Sequence, residues 1–390
     1  MEYPLVRACI DLAAIQSNIE NLKQITNPNS EFMAVVKANA YGHGAVPVAE
    51  KALQSGADWL GVARFREAVE LREAGIDAPI LVFGYVHPAR AEKAVELDLV
   101  VSVYDFEMAR ALSQKSVSLN KAVKVHLKVD TGMGRVGIII GNMDQGFLDT
   151  RNRETCIREI EKIHSLPGID CTGIYTHFAT ADSKDRSHTD QQIKLFASLL
   201  KDLEKKGIKP GTCHAANSAG IIGFPDSHFD MVRAGISIYG LYPSSEVDPA
   251  KINLHPAMSL KSVITGIRKV PKGFFVSYGK TYETRKETKL ASVPIGYADG
   301  FSRFFSSKGS MLVKGCRAHV AGRVCMDQTL IDVGHIPEIK TGDEVVIIGS
   351  QGRETMSADE LANSINTINY EIVSALTSRV KRIYSDSGSG

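Results

Sequence analysis

The sequence predicts an α/β chain in which a (β/α)8 TIM-type barrel is followed by a mainly β C-terminal domain. Two observations lead to that fold class. Short apolar runs alternate with helical patterns through the first part of the chain, and eight such runs occur, at 34–37, 59–62, 80–83, 99–103, 123–129, 170–176, 212–215 and about 231–239. Strands separated by helices pair in parallel, and eight consecutive units close a barrel. The pattern then changes near Leu241-Tyr242-Pro243, beyond which the segments are short and β-like, at 258–270, 289–294, 310–314, 317–321, 329–333 and 344–348. A chain of 390 residues is too long for one ordinary core, and the two domains fall at 1–241 and 242–390. An open doubly wound sheet is the alternative for the first domain. It wants a G-x-G-x-x-G fingerprint after its first strand, and Gly42-His43-Gly44 lacks the third glycine.

Local chemistry supports the individual elements. Asp11 can cap a helix whose apolar positions Leu12, Ile15, Ile19, Leu22 and Ile25 form one stripe. The helical patterns from Arg64 to Ala74 and from Ser187 to Lys206 each stop at a glycine, Gly75 and Gly207, as a left-handed C-cap favours. In the second domain Ser357-Ala358-Asp359-Glu360 has the spacing of a capping box. The stretch 141–154 reads as a loop without an assigned role, and the low-complexity tail 385–390 as frayed.

Composition excludes several classes of function. With 46 Lys+Arg against 44 Asp+Glu, the net charge of +2 gives no global field for nucleic acid or an acidic membrane. No secretory signal pattern opens the chain and no apolar run is long enough to span a bilayer, so a cytoplasmic location is expected. Six cysteines without Cys-x-x-Cys spacing suggest reduced thiols, and no metal is expected.

The chemistry is placed at Lys37, where an apolar run opens into a Gly/Asn/His-rich loop. Two readings stand side by side. Desolvation lowers an amine's pKa and makes it a Schiff-base nucleophile; alternatively, the stem lies along the strand and the amine reaches the rim. Barrel active sites are built at the C-terminal ends of the strands. There the sequence offers Lys37 and Tyr41, Lys128 and Thr131–Arg135, Tyr175–His177, then His214, Asn217 and Ser218, and lastly Arg233–Gly235. Ser218 with Gly235 and Ile236 can present a hydroxyl and backbone N–H groups to a phosphate. A phosphate site beside a Schiff-base lysine points to pyridoxal 5′-phosphate, an electron sink for a Cα carbanion.

Five segments sharpen this reading: 35–44 (VVKANAYGHG), 128–135 (KVDTGMGR), 276–279 (VSYG), 294–300 (PIGYADG) and 322–327 (GRVCMD). In this order they resemble the signature segments of the alanine racemase family, over nearly the whole chain from Asp11 to about Tyr384. The resemblance implies that Lys37 carries the cofactor and acts as one acid/base group, with Tyr278 the other on the opposite face of Cα, as racemisation requires. A free phenol ionises only near pH ~10, so this role needs a nearby base or cations; the resemblance places His177 beside Tyr278. It further implies that Arg233 faces the pyridine nitrogen, that Arg135 binds the substrate carboxylate or buttresses the cofactor's phenol oxygen, and that Lys128 carries a carbamate, as in some family members. Phosphate contacts would come from Tyr41, Ser218, Gly235, Ile236 and Tyr370, while Tyr297 and Met326 line the substrate entrance. The resemblance implies a homodimer in which the second domain of one chain completes the barrel site of the other. The resemblance also implies D-alanine as a cell-wall precursor, and the sequence leaves a biosynthetic and a catabolic role both open. Rival functions are a pyridoxal-phosphate decarboxylase of the same architecture, a racemase of broader specificity such as serine, a non-catalytic cofactor carrier, and a cofactor-free aldolase.

Overall fold

The computed structural model describes residues 4–140 and 150–386. Two compact units interleave along the sequence: Ile15–Ala40 with Ala45–His255, and Met1–Ala14 with Tyr41–Gly44 and Pro256–Gly390.

The first unit is a closed barrel of eight parallel strands: Glu31–Val35, Trp59–Val62, Ile80–Val82, Leu99–Val103, Val123–Asp130, Ile169–Tyr175, Thr212–His214 and Met231–Ala234. Each pairs with the next, and Met231–Ala234 returns to Glu31–Val35 in parallel register, which closes the ring. Inside, Met33, Leu81, Val100 and Met231 form a buried apolar cluster, packed by Trp59 and Phe83. The surrounding helices turn apolar stripes to the sheet; in Leu12–Ile25, for example, Ile15, Ile19 and Leu22 are fully buried. The glycine stops hold. Gly75 and Gly207 take φ +85° and +74°, and each donates its N–H to a carbonyl in the last helical turn, of Arg72 and Glu204.

Two barrel strands stop more than one residue short of the sequence reading. The first strand stops at Val35, not at residue 37, because Lys37 opens a turn in which Ala38, Asn39, Ala40 and Tyr41 all have φ between +51° and +54°. The eighth stops at Ala234, where Gly235 redirects the chain into the 3₁₀ turn Ile236–Tyr239. Of the stretch read as a loop at 141–154, residues 141–149 lie outside the described residues, and 150–154 begin the helix Thr150–His164.

The second unit is organised on a mixed sheet. Its strands run in the order Gly266–Val270, Thr288–Val293, Thr329–Asp332, Cys316–Val320, Ser310–Val313, Glu344–Gln351, Met258–Val263, Arg7–Asp11 and Lys381–Ser385, with Glu354–Met356 hydrogen-bonded to Glu344–Gln351. Sequence reading did not anticipate the strand Arg7–Asp11. It pairs antiparallel with Met258–Val263 and in parallel with Lys381–Ser385. Asp11 ends this strand and caps the following helix, accepting the N–H groups of Ala13 and Ala14. Ser385, in the tail expected to fray, pairs with Asp11, and 387–390 lie outside the described residues. Ser357 accepts the Glu360 N–H as an N-cap should, but the Glu360 carboxylate turns to Arg317 and does not complete a capping box.

Candidate active site

Lys37 sits at the C-terminal end of the first barrel strand, half-buried, in a left-handed helical turn. For non-glycine residues that conformation costs roughly 1–2 kcal/mol each, so the turn needs support from its surroundings. Glu67 supplies it. One carboxylate oxygen accepts the Ala38 N–H at 2.7 Å, while the other accepts the N–H groups of Ala63 and Arg64 at 2.8 Å, where the helix Phe65–Glu73 begins. Asn39 adds a second tie, its Oδ1 accepting the Ala45 N–H at 2.8 Å. The Lys37 amine is held below the ordinary lysine range by burial first and by the positive charge of Arg135 and Arg233, with Glu67 opposing them.

The fifth strand brings up Lys128, buried, its Nζ donating to the Val129 carbonyl at 2.6 Å. Burial, reinforced by Arg233 and Arg135 against the pull of Asp130, lowers this amine to about 7. After the strand, Asp130 gathers the next turn around its carboxylate, accepting the N–H groups of Gly132, Met133, Gly134 and Arg135. Gly132 and Gly134, at φ +129° and +68°, permit that wrap. The wrap fixes the backbone from which Arg135 projects.

At the sixth strand Tyr175 is buried, bonded to Ser102 Oγ at 2.8 Å and stacked on His214 with ring centres 4.7 Å apart. Lys128 Nζ and the Arg233 guanidinium lie 5.4 and 5.3 Å from the tyrosine ring centre, so an aromatic face stabilises both cations. Arg233, on the eighth strand, is 4% exposed and donates to His214 Nδ1, His177 Nδ1 and the carbonyls of Thr176 and Ala215. Burial lowers even this guanidinium to about 10. The same burial, with the charges of Arg233, Arg135, Lys128 and Lys37, keeps His177 neutral. Ser218 Oγ accepts the Gly235 N–H at 2.9 Å and the Ser237 N–H at 3.3 Å, which puts the hydroxyl, Gly235 and Ile236 in one corner of the barrel mouth.

The barrel unit thus brings together Lys37, Lys128, Arg135, His177, Ser218, Arg233, Gly235 and Ile236. The second unit brings together the others. Tyr41 and Tyr370 pair with ring centres 6.1 Å apart. Tyr278 follows the short strand Phe275–Val276 and is 69% exposed. Its loop is tied to the segment 322–327 by Ser277 Oγ, which donates to the Arg323 carbonyl at 2.6 Å. Tyr297 and Ala298 donate their N–H groups to the carbonyls of Cys325 and Met326, so the segments carrying Tyr278, Tyr297 and Met326 form one hydrogen-bonded loop system. Gly296 makes this approach possible, since a Cβ there would come within 2.2 Å of the Met326 carbonyl oxygen.

Sequence reasoning missed the supports: Glu67, Asp130, Ser102, His126, and Gln192, which donates to the His177 carbonyl and to Thr131 Oγ1. Glu67 lies in the first turn of the helix Phe65–Glu73, where an acidic side chain is favoured, and that local signal could have drawn attention to it. Asp130 also has a local signal, lying two residues before the Gly132-Met133-Gly134 turn whose N–H groups it accepts, whereas nothing local marks Ser102, His126 or Gln192.

Comparison with known proteins agrees with this geometry. Family models described as the alanine racemase N-terminal and C-terminal domains match residues 10–243 and 257–384. The chain belongs to the alanine racemase family. A curated alanine racemase of Desulfosudis oleivorans is 49% identical over 380 residues, 97% of this chain and 96% of the relative. Among solved structures, an alanine racemase of Bacillus anthracis with bound L-Ala-P superposes with a TM-score of 0.90 at 39% identity, over 100% of this chain and 97% of the other. One from Bartonella henselae with covalently bound pyridoxal phosphate gives 0.84 at 28% identity, covering 98% and 100%. The chain is accordingly an isomerase of the racemase class, with the closed parallel barrel and mainly β second unit of its relatives.

Proposed function

We propose that this protein interconverts L- and D-alanine with pyridoxal 5′-phosphate, using Lys37 and Tyr278 as a two-base pair. The observation that carries the reading is the cationic mouth of the barrel, where burial, with the positive charges of Arg135 and Arg233, lowers the basicity of the Lys37 and Lys128 amines. Such a mouth fits an anionic, carbonyl-bearing cofactor. Lys37 would hold it covalently, and Ser218, Gly235 and Ile236, with Tyr41 and Tyr370, would hold its phosphate. Arg233 would face its ring nitrogen, as a donor that does not give up its proton. When bound, pyridoxal phosphate supplies an electron sink for negative charge at the substrate Cα.

The chain's own groups do the rest. Lys37, its basicity lowered by burial, takes or returns the Cα proton on one side. Tyr278 does so on the other, with neutral His177 as its proton partner. Arg135 orients the substrate carboxylate, and Tyr297 and Met326 restrict the entrance to a small side chain. Lys128, lowered to about 7, has the neutral amine fraction that a carbamate requires. The exposure of Tyr278, Tyr297 and Met326, at 69%, 41% and 52%, supports a homodimer in which they complete the partner's site. Among the described residues no helix is long and apolar enough to cross a membrane. We place the enzyme in the cytoplasm, where D-alanine supplies cell-wall synthesis.

The test is incubation with L-alanine in deuterated water. D-alanine carrying deuterium at Cα supports the reading, with a visible cofactor absorbance that Lys37→Ala abolishes. Release of carbon dioxide without exchange would assign the decarboxylase instead.

A further inference from the structure

Behind Arg233 the barrel interior holds two buried imidazoles that the proposed reaction leaves unused. Arg233 Nη1 lies 2.9 Å from His214 Nδ1, and His214 Nε2 lies 2.9 Å from His126 Nδ1. A guanidinium has donors and no acceptor. His214 Nδ1 must therefore accept, which puts the His214 proton on Nε2. That proton fills the contact with His126 Nδ1, which leaves His126 protonated on Nε2. Every tautomer in the chain follows from the one group that can only donate.

The chain ends on a group that costs stability. His126 is fully buried, and among the described residues its Nε2 has no hydrogen-bond partner. Its ring packs 5.5 Å from that of Trp59, beside the apolar cluster that fills the barrel. The neighbouring sixth strand makes room for it with Gly173, where a Cβ would come within 2.6 Å of Nε2. An unpartnered buried donor costs about 1–3 kcal/mol, so its retention calls for a compensating role.

Arg233 supplies the reason. It is a buried cation whose hydrogen-bond partners among the described residues are all uncharged: His214, His177 and the carbonyls of Thr176 and Ala215. We propose that His214 and His126 are positioning residues, a neutral one-directional relay that holds Arg233 in place of a counter-ion. A carboxylate in the same position would fix the guanidinium but cancel its charge at the barrel mouth. The imidazole pair fixes it and leaves the charge intact, each hydrogen bond polarising the next. The charged and titratable groups facing His214 are Arg233, Lys128, His126 and Tyr175; those facing His126 are Arg233 and His214. Burial first, then the positive charge of Arg233, keeps His126 down at about 3 and His214 well below the ordinary histidine range, so neither takes up the second proton that would break the chain.

The consequence for catalysis rests on the proposed racemase reading, whereas the tautomers do not. Nitrogen-15 NMR of the histidine-labelled, cofactor-free protein is therefore the first measurement. Both residues should show a protonated Nε2 and a bare Nδ1, unchanged from about pH 5.5 to about pH 8.5. A protonated Nδ1 on either ring, or titration of either within that range, would overturn the relay even if racemisation is observed. The second measurement compares His126→Leu with His126→Gln in the holoenzyme. Leucine leaves His214 without an acceptor, and kcat should fall at least about tenfold with little change in KM, together with a shift in the bound cofactor's absorbance. Glutamine, whose Oε1 can accept from His214, should restore most of both. Loss of thermal stability alone, with kcat and spectrum unmoved, would reduce His126 to packing and refute the proposal. If no cofactor spectrum appears in the unaltered protein, the racemase reading fails while the NMR result still decides the relay.

Discussion

Lys128→Met should make this protein more stable near neutral pH, and the gain should vanish in alkali. The folded chain holds the Lys128 amine at about 7 against an ordinary value of 10.5, chiefly because burial disfavours its charge. A gap of about 3.5 pH units, at ~1.4 kcal/mol per unit, corresponds to ~5 kcal/mol of folding free energy withheld below pH ~7. Between pH ~7 and ~10 the unfolded chain binds a proton here that the folded chain does not, so this residue alone makes stability rise by ~1.4 kcal/mol per pH unit. Above that window both states are neutral and nothing is lost. Methionine fills the same volume without charge, at the cost of the hydrogen bond to the Val129 carbonyl, ~1 kcal/mol. The variant should therefore lead by ~3 kcal/mol near pH 7 and fall behind by pH ~10. Urea titrations of the cofactor-free proteins in bicarbonate-free buffer, at several pH values, would read the difference. A difference of constant size across that range would refute the argument that Lys128 is neutral in the fold. Adding bicarbonate at pH ~8 should stabilise the wild type and leave the variant unaffected, since only the lysine can form a carbamate.

Three further outcomes follow from the same geometry. Glu67→Ala removes the acceptor for Ala38 and a negative charge that raises the Lys37 pKa; cofactor uptake by the free protein should slow several-fold, with its pH profile displaced downward, whereas Glu67→Gln should displace the profile with a smaller loss of rate. Replacing Ala38 by glycine relieves a φ of +54° and should raise stability by about 0.5–1 kcal/mol in thermal unfolding while lowering kcat, because the lysine turn loosens; lower stability would mean that the turn is not strained. Tyr278→Phe should abolish proton exchange on one face of alanine, leaving single-direction exchange in deuterated water with cofactor affinity nearly intact. An equal loss on both faces would assign the tyrosine a structural role.

The candidate site was legible in the sequence where its chemistry is local. Lys37 is conspicuous because an amine beside a buried apolar run needs a reason to be there, and the order of the barrel units along the chain puts Ser218, Gly235 and Arg233 after the seventh and at the eighth strand. Its supports were not legible. Glu67 acts on a residue 29 positions away, and His126 meets His214 across 88 positions. Neither relation leaves a spacing to read.

The sequence by itself determined the barrel and its order, because hydrophobic periodicity and glycine stops are properties of neighbours along the chain. It could not determine that Arg7–Asp11 joins the second sheet, since its partner strands begin at Met258 and Lys381. Nor could it show that the lysine stands in a left-handed turn, a conformation that Ala38 and Ala40 disfavour by themselves and that persists through Glu67 and Asn39. Only the tertiary structure decides which protons the buried groups carry. Burial and the packing of cations from the first, fifth and eighth strands keep Lys128 and His177 weakly basic, and the one-way donor Arg233 fixes the tautomers of the imidazoles behind it. Ionisation depends on what surrounds a group in space, and a chain of letters specifies that only after it has folded.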